Sequence, residues 1–242
     1  MRQNILITGA SAGLGAEMAR QFAAMGRNVA LCARRTDALE KLRAELSGVK
    51  VVVKELDVTD HDAVFRVFRE CAEELGSLDR VIVNAGIGKG QRIGTGGFAA
   101  NLRTVETNFV GALAQCEAAM EIFREQNAGH LVAISSMAAL RGLPGTISAY
   151  TATKAGLSSL AEGIRVDTLG TPIEVTAILP GYIRSEMNPE PGTLIANTVP
   201  AVRSMVKAIE REPAKAIVPG WPFRLLAPVM RVLPAPLLSK FF

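Results

Sequence analysis

The sequence has little of what metal sites and disulfide frameworks are made from. Of its 242 residues only two are histidine and three are cysteine. His61 and His130 lie far from one another and from every cysteine, which removes the spacing of a histidine-based metal site. Cys32, Cys71 and Cys116 form no CxxC pair and are odd in number. They are expected as buried, reduced thiols of a cytoplasmic protein. Aromatics make up 5% of the chain, with one tryptophan and two tyrosines, so neither tyrosine reads as generic filler. The net charge of +4 comes from scattered basic residues rather than a patch, which excludes a nucleic-acid partner. The opening "MRQNILITGASAG" reaches glycine too early for the apolar run of a secretory signal. There is no internal repeat and no low-complexity linker.

Aliphatic residues dominate instead. Hydrophobic content is 49%, enough for one sizeable core. Short runs rich in valine and isoleucine alternate with longer stretches of helical period. Strands are expected at Asn4 to Thr8, Asn28 to Ala33, Lys50 to Glu55, Arg80 to Asn84, His130 to Ile134, Ile173 to Leu179 and Lys215 to Val218. Helices are expected at Leu14 to Met25, Asp37 to Leu46, Ala63 to Leu75, Leu102 to Gln126 and Ala149 to Leu169. Repeated βα units of this length predict an α/β fold, a doubly wound parallel sheet in a single Rossmann-like domain over residues 1 to 242. Ligands then belong at the carboxyl ends of the strands.

The turn "TGASAGLG" joins the first strand to the first helix. Gly9, Gly13 and Gly15 remove side chains where a backbone can approach a pyrophosphate, and Ser11 and Leu14 share the turn. The following helix offers free N–H groups and a partial positive charge. The second strand ends in "LCARRTD", where a carboxylate accepting from ribose hydroxyls would mark a preference for NAD. Arg34 and Arg35 stand there instead. A guanidinium pairs with a 2′-phosphate, so the reading favours NADP(H) over NAD(H). The glycine-rich "GIGKGQRIGTGG" lacks the Lys-Ser/Thr ending of a phosphate loop and reads as a surface loop.

In "SAYTATKAGL", Tyr150 and Lys154 are four apart on one helix face, among small residues. Phenol in water has a pKa near 10. An ammonium at roughly 4 Å, in an effective dielectric near 20, favours phenolate by about 4 kcal/mol. The pair is thus expected to bring Tyr150 toward neutral pH.

With these motifs in order, the sequence resembles the short-chain dehydrogenase/reductase family, in its single-domain branch, from residue 4 to residue 187. The glycine turn resembles that family's cofactor turn. "LDV", with Asp57 and Val58, resembles its adenine site. Asn84, Ala85 and Gly86 resemble its "NAG" signature, and Asn108 in "VETNFVG" falls at its catalytic asparagine. "ISS" with Ser136 resembles its serine site, Tyr150 and Lys154 its Tyr-xxx-Lys pair, and "PGYIRSEM" its PG turn. The resemblance implies nicotinamide contacts at Pro180, Gly181, Ile183 and Ser185, and a bond from Lys154 to the nicotinamide ribose. It also implies a water supported by Asn108, a carbonyl or alcohol as substrate, and a homo-oligomer built on the helices near Leu102 to Gln126 and Ala149 to Leu169. Two departures stand out. The loop from Ser136 to Tyr150 is one residue longer than in many relatives, which leaves Ser135 as a rival hydroxyl. Ser185 also replaces the usual threonine.

Residues 188 to 213 break the βα rhythm and read as a substrate lid, helical near Ala201 to Glu210. The last stretch, "GWPFRLLAPVMRVLPAPLLSKFF", is mostly apolar. Arg224, Arg231, Lys240 and three prolines argue against a spanning helix. The tail is expected to bury Trp221, Leu225, Leu226 and Phe241 over the cleft or a neighbouring subunit. The alternative is a tail lying on a membrane surface. Its apolar character points to an apolar or lipid-like substrate.

Overall fold

Strands buried on both faces have no use for alternating polar residues, and the sequence supplies unbroken Val, Ile, Leu and Ala runs. In the computed structural model, which describes residues 2–88, 90–184 and 195–238, these runs form one parallel sheet. Its strands are β1 (Asn4–Thr8), β2 (Asn28–Ala33), β3 (Val51–Glu55), β4 (Arg80–Val83), β5 (Gly129–Ile134), β6 (Ile173–Pro180) and β7 (Lys215–Val218). The spatial order is β3-β2-β1-β4-β5-β6-β7, with every neighbouring pair parallel. This is the expected Rossmann-like architecture.

Two apolar layers cover the sheet. On one face lie α1 (Gly13–Ala24), α2 (Thr36–Glu45) and α7 (Thr198–Ile209). On the other lie α3 (His61–Leu75), α5 (Gly111–Gln126) and α6 (Ser148–Asp167). The chain leaves β1 toward β2 on one side and returns to β4 on the other, so a crevice opens at the carboxyl ends of β1 and β4.

Three expectations need correction. The helix expected from Leu102 to Gln126 is not continuous. It consists of α4 (Phe98–Val105), a π turn (Glu106–Val110) and α5. The wide turn carries Asn108 inward. It ends at Gly111, where a Cβ would lie 2.7 Å from the Val58 carbonyl oxygen. Second, α7 buries Ala201, Val202, Met205, Val206 and Ile209, so the helical half of the expected lid is core. Residues 188–194 lie outside the described residues. Third, the tail forms α8 (Phe223–Val232), which runs through Pro228, and the short α9 (Ala235–Leu238). Phe223 and Ala227 are buried and Leu226 half-buried, but Trp221 and Leu225 are 77% and 63% exposed in the single chain, so they do not pack over the chain's own cleft. Phe241 lies outside the described residues. No described helix is long and apolar enough to cross a membrane.

At the amino ends of β4 and β5 the sheet encloses charge. Arg80, almost fully buried, donates from Nε to His130 Nδ1 at 2.8 Å and pairs with Glu210 and Glu212. Arg2 and Arg27 complete the network through Glu212 and Glu210. It ties both ends of the chain's sheet-covering segments to the strands.

Candidate active site

The glycine turn is shaped by close approach. Gly9 adopts φ +64°, and a Cβ there would lie 2.9 Å from Ala85 Cα. A Cβ on Gly15 would lie 2.4 Å from the Gly9 carbonyl oxygen, so α1 can meet the turn only through glycine. Gly13 is also left-handed, at φ +56°. Ala12 at the N-cap makes no side-chain cap, leaving the first turn of α1 to bind through its backbone. Asn84 and Ala85 donate their backbone N–H groups to Thr8 Oγ1 at 3.0 and 3.1 Å, and Asn84 Nδ2 donates to the Thr8 carbonyl at 2.9 Å. Thr8 Oγ1 in turn donates to Gln115 Oε1 at 2.7 Å. The "NAG" segment is thereby locked to the glycine turn. Thr8 and Gln115 were not singled out by sequence reasoning. The only signal was a hydroxyl ending a buried strand.

At the carboxyl end of β2, Arg35 donates to Ser11 Oγ from Nε and Nη2 at 3.3 and 3.2 Å. Arg34, whose side chain is 70% exposed, lies 3.6 Å from the Asp57 carboxylate. Burial raises the Asp57 pKa, but bonds from Thr59 and the nearby Arg34 outweigh it and hold the carboxylate below its ordinary range. Val58 follows, buried against Gly111. Ser11, Arg34, Arg35 and Asp57 therefore form one rim beside the turn that Leu14 enters as part of α1.

The second cluster sits past the ends of β4 and β5. Ser136 caps a short 3-10 turn (Met137–Leu140), accepting from Ala138 N at 3.1 Å, and its hydroxyl lies near enough to Tyr150 to pull the phenol's pKa down. Ser135 points the other way. Its Oγ donates to the Lys154 carbonyl and lies 2.8 Å from Ser158 Oγ, buried inside the fold. The structure thus brings Ser136, not Ser135, to the tyrosine. Lys154 is buried, with Nζ donating to the Ile134 carbonyl at 2.9 Å and lying 5.9 Å from the Tyr150 ring centroid. Asn108, also buried, grips the backbone of Ile87 twice. Its Oδ1 accepts from Ile87 N and its Nδ2 donates to Ile87 O, both at 2.7 Å. Gly86 passes between them, for a Cβ there would meet Asn108 Oδ1 at 3.0 Å and Lys154 Nζ at 3.5 Å.

The electrostatics differ from the expectation. Burial pushes the Lys154 ammonium down to about 8. Burial also raises the Tyr150 pKa above 10, and the Ser136 hydroxyl only partly offsets it while Tyr182 adds to it. The lysine does not draw the phenol toward neutrality here. Its Nζ sits on the Ile134 carbonyl, and both groups are pushed toward their neutral forms.

Pro180 ends β6, and Gly181 N donates to the Val218 carbonyl at 2.8 Å. A Cβ on Gly181 would lie 2.6 Å from the Phe223 ring, so the tail packs directly on the PG turn. Ile183 is buried and bridges to Ala196, whereas Ser185 lies outside the described residues. Phe223 had no sequence signal beyond its place in an apolar tail. No described group of histidine, cysteine and carboxylate residues could hold a metal.

Comparison with known proteins points the same way as this geometry. A family model described as short chain dehydrogenase matches residues 3–193. An uncharacterized oxidoreductase of Mycobacterium tuberculosis is 52% identical, covering 99% of this chain and 97% of that protein. Among solved structures, levodione reductase is 30% identical with a TM-score of 0.73, covering 76% of this chain and 73% of the other. An NAD+-bound xylitol dehydrogenase is 29% identical with a TM-score of 0.72, covering 78% and 72%.

Proposed function

The chain belongs to the short-chain dehydrogenase/reductase family, and on that premise we propose an NADP(H)-dependent oxidoreductase acting on a carbonyl or secondary alcohol. The observation that carries this reading is the gathering of Tyr150, with Ser136 beside it and Lys154 buried 5.9 Å from its ring, past the strand ends next to the glycine turn. When bound, the nicotinamide cofactor supplies or accepts the hydride. Gly9, Ser11, Gly13, Leu14 and Gly15 would hold its pyrophosphate. Asp57, Val58, Asn84, Ala85 and Gly86 would line the adenine side and the passage inward. Tyr150, Lys154, Pro180, Gly181, Ile183 and Ser185 would hold the nicotinamide end. The residues fit such a group, since every place where a side chain would block the turn is glycine.

Tyr150 gives its phenolic proton to the substrate oxygen in reduction and takes it back in oxidation. The Ser136 hydroxyl donates to the same oxygen and steadies its developing charge. Asn108 fixes the 84–88 segment through Ile87, which sets the wall beside Lys154. It also supports the water that relays protons to Lys154. Because a relative of this family holds NAD+, membership does not choose the cofactor. Arg34 and Arg35 beside Ser11 do, by pairing with a 2′-phosphate. The same reading takes the protein as one cytoplasmic domain, assembling as a homo-oligomer, with an apolar substrate suited to a cleft bordered by α8.

The test is Tyr150→Phe, which deletes one oxygen. It should keep cofactor affinity and the thermal midpoint while turnover falls at least a hundredfold on a carbonyl panel followed by NADPH absorbance. Near-normal turnover would sink the assignment.

A further inference from the structure

Helix α8 has two apolar faces, and the fold uses one. Phe223, Leu226, Ala227 and Met230 pack on Met137, Leu140 and Ile217. On the opposite side Leu225, Val229 and Val232 are 63%, 50% and 78% exposed. Trp221, just ahead of the helix, is 77% exposed. Positions 225, 229 and 232 follow helical spacing, so these three side chains line one stripe of α8, with Trp221 exposed just ahead of it. Single exposed apolar residues are ordinary, but a contiguous stripe of large ones marks a surface that something covers.

Charge tells what covers it. From Pro213 to the end of the sequence there are four basic residues, Lys215, Arg224, Arg231 and Lys240, and no carboxylate. Arg224 and Arg231 are exposed near the two ends of α8. A two-fold pairing of α8 with a second copy would set arginine near arginine, with no acid from this segment to pair them. An anionic lipid surface suits the same face on both counts. Its headgroups pair with the guanidinium groups, and its acyl boundary takes the tryptophan and the aliphatic stripe.

We propose that α8 docks this protein on anionic phospholipid surfaces through Trp221, Leu225, Val229 and Val232, with Arg224 and Arg231 on the headgroups. The inner face of the same helix rests on the turn that follows Ser136, and Phe223 rests on Gly181. Docking therefore sets the candidate active site beside the bilayer, and an apolar substrate would arrive from the lipid. That last step rests on the proposed oxidoreductase chemistry, whereas the docking does not.

Trp221 is the sole tryptophan, so the full chain carries its own reporter. Adding vesicles of phosphatidylglycerol and phosphatidylcholine should shift its emission to the blue and bring the protein into the pellet. Vesicles of phosphatidylcholine alone should do neither to a comparable extent. Leu225→Ser/Val229→Ser keeps the reporter and touches only exposed positions. It should weaken partition at least tenfold with an unchanged thermal midpoint. Arg224→Gln should weaken it about fivefold. Tyr150→Phe should bind vesicles like the parent, so loss of docking and loss of the catalytic reading are separable. The proposal is overturned if Trp221 emission ignores the anionic vesicles. It is equally overturned if the double variant pellets like the parent, or if light scattering shows α8 buried in a dimer that the double variant dissociates.

Discussion

His130 should make this fold acid-labile well above the range of its carboxylates. The ring is fully buried, and its hydrogen bonds fix the tautomer. Arg80 Nε donates to Nδ1 at 2.8 Å, so the proton sits on Nε2, which donates to Thr176 Oγ1 at 2.9 Å. Thr176 passes its own proton to the Pro213 carbonyl at 2.7 Å. A second ring proton would face the Arg80 guanidinium, with only Glu212 at 3.4 Å to receive it. Burial first, then Arg80, pushes the imidazole down to about 3 from an ordinary 6.5, against the pull of Glu212. The unfolded chain takes up this proton near pH 6.5 and the folded chain does not. Stability from the neutral ring is therefore complete above pH 6.5 and drains as pH falls toward 3, by about 1.4 kcal/mol per pH unit. At pH 5 the loss is about 2 kcal/mol. The Glu212 carboxyl is held below its usual range, where Arg2 and Arg80 outweigh burial, so its own loss begins only under pH 4.5. Urea unfolding at pH 7 and pH 5 measures the difference. His130→Gln offers an acceptor and a donor but no titrating ring, and should lose far less across that interval. An equal drop in parent and variant would refute the assignment of the proton to His130.

Other expectations follow from single contacts. Arg34→Asp replaces an attraction for a 2′-phosphate with a repulsion and should weaken NADPH by about 1.5–3 kcal/mol while sparing NADH. Equal effects in titrations of the two cofactors would place the phosphate elsewhere. Ser136→Ala should cut turnover at least tenfold with little change in thermal midpoint. Ser135→Ala should do the reverse, costing about 1–2 kcal/mol of stability through its buried bonds to Lys154 and Ser158. Gly15→Ala drives a Cβ to within 2.4 Å of the Gly9 carbonyl, so dinucleotide affinity and thermal midpoint should fall together. With Tyr150 held above 10, carbonyl reduction should vary little from pH 6 to 8, whereas alcohol oxidation should climb with pH. Profiles with the two trends exchanged would count against Tyr150 as the proton donor.

The sheet was almost fully legible because burial on both faces leaves a plain mark. The expected limits of β1, β2 and β7 match the structure, and α1, α2, α3 and α6 lie within two residues of expectation at each end, whereas α4 starts four residues and α7 three residues early. Irregular backbone left no such mark. Nothing in "TVETNFVG" distinguishes a π turn from a continuing helix, because the turn is chosen by contacts far along the chain, Asn108 with Ile87 and Gly111 with Val58. The tail shows the same limit differently. Composition gives its hydrophobicity but not which side faces inward, so Trp221 and Leu225 were expected to be buried over the cleft or a neighbouring subunit, while within the chain it is Phe223 that packs inward. The site motifs were legible as a set, since the glycine turn, Asn84 to Gly86, Ser136 and the PG turn follow strand ends and Tyr150 and Lys154 share one face of α6. Which of two adjacent serines turns toward Tyr150 was not, because that depends on where Lys154 and Ser158 offer partners.

The Tyr150–Lys154 pair shows why spacing alone misjudged the acid strength. Four residues along a helix put both side chains on one face, as expected, but the ammonium reaches across to the Ile134 carbonyl. The attraction of about 4 kcal/mol assumed a lysine already charged at roughly 4 Å. Burial charges a cost for that assumption. The fall of Lys154 from 10.5 to about 8 is worth roughly 3 kcal/mol. With Nζ turned to the Ile134 carbonyl and 5.9 Å from the ring centroid, the phenol gains little of that attraction, and its own burial sets the sign. A phenol held in its protonated form is an acid waiting for an oxygen that becomes more basic during the reaction. It is a poor base at neutral pH. On the proposed oxidoreductase reading, such a site would favour proton donation to a carbonyl being reduced, the direction that a preference for NADPH at the arginine rim would also serve.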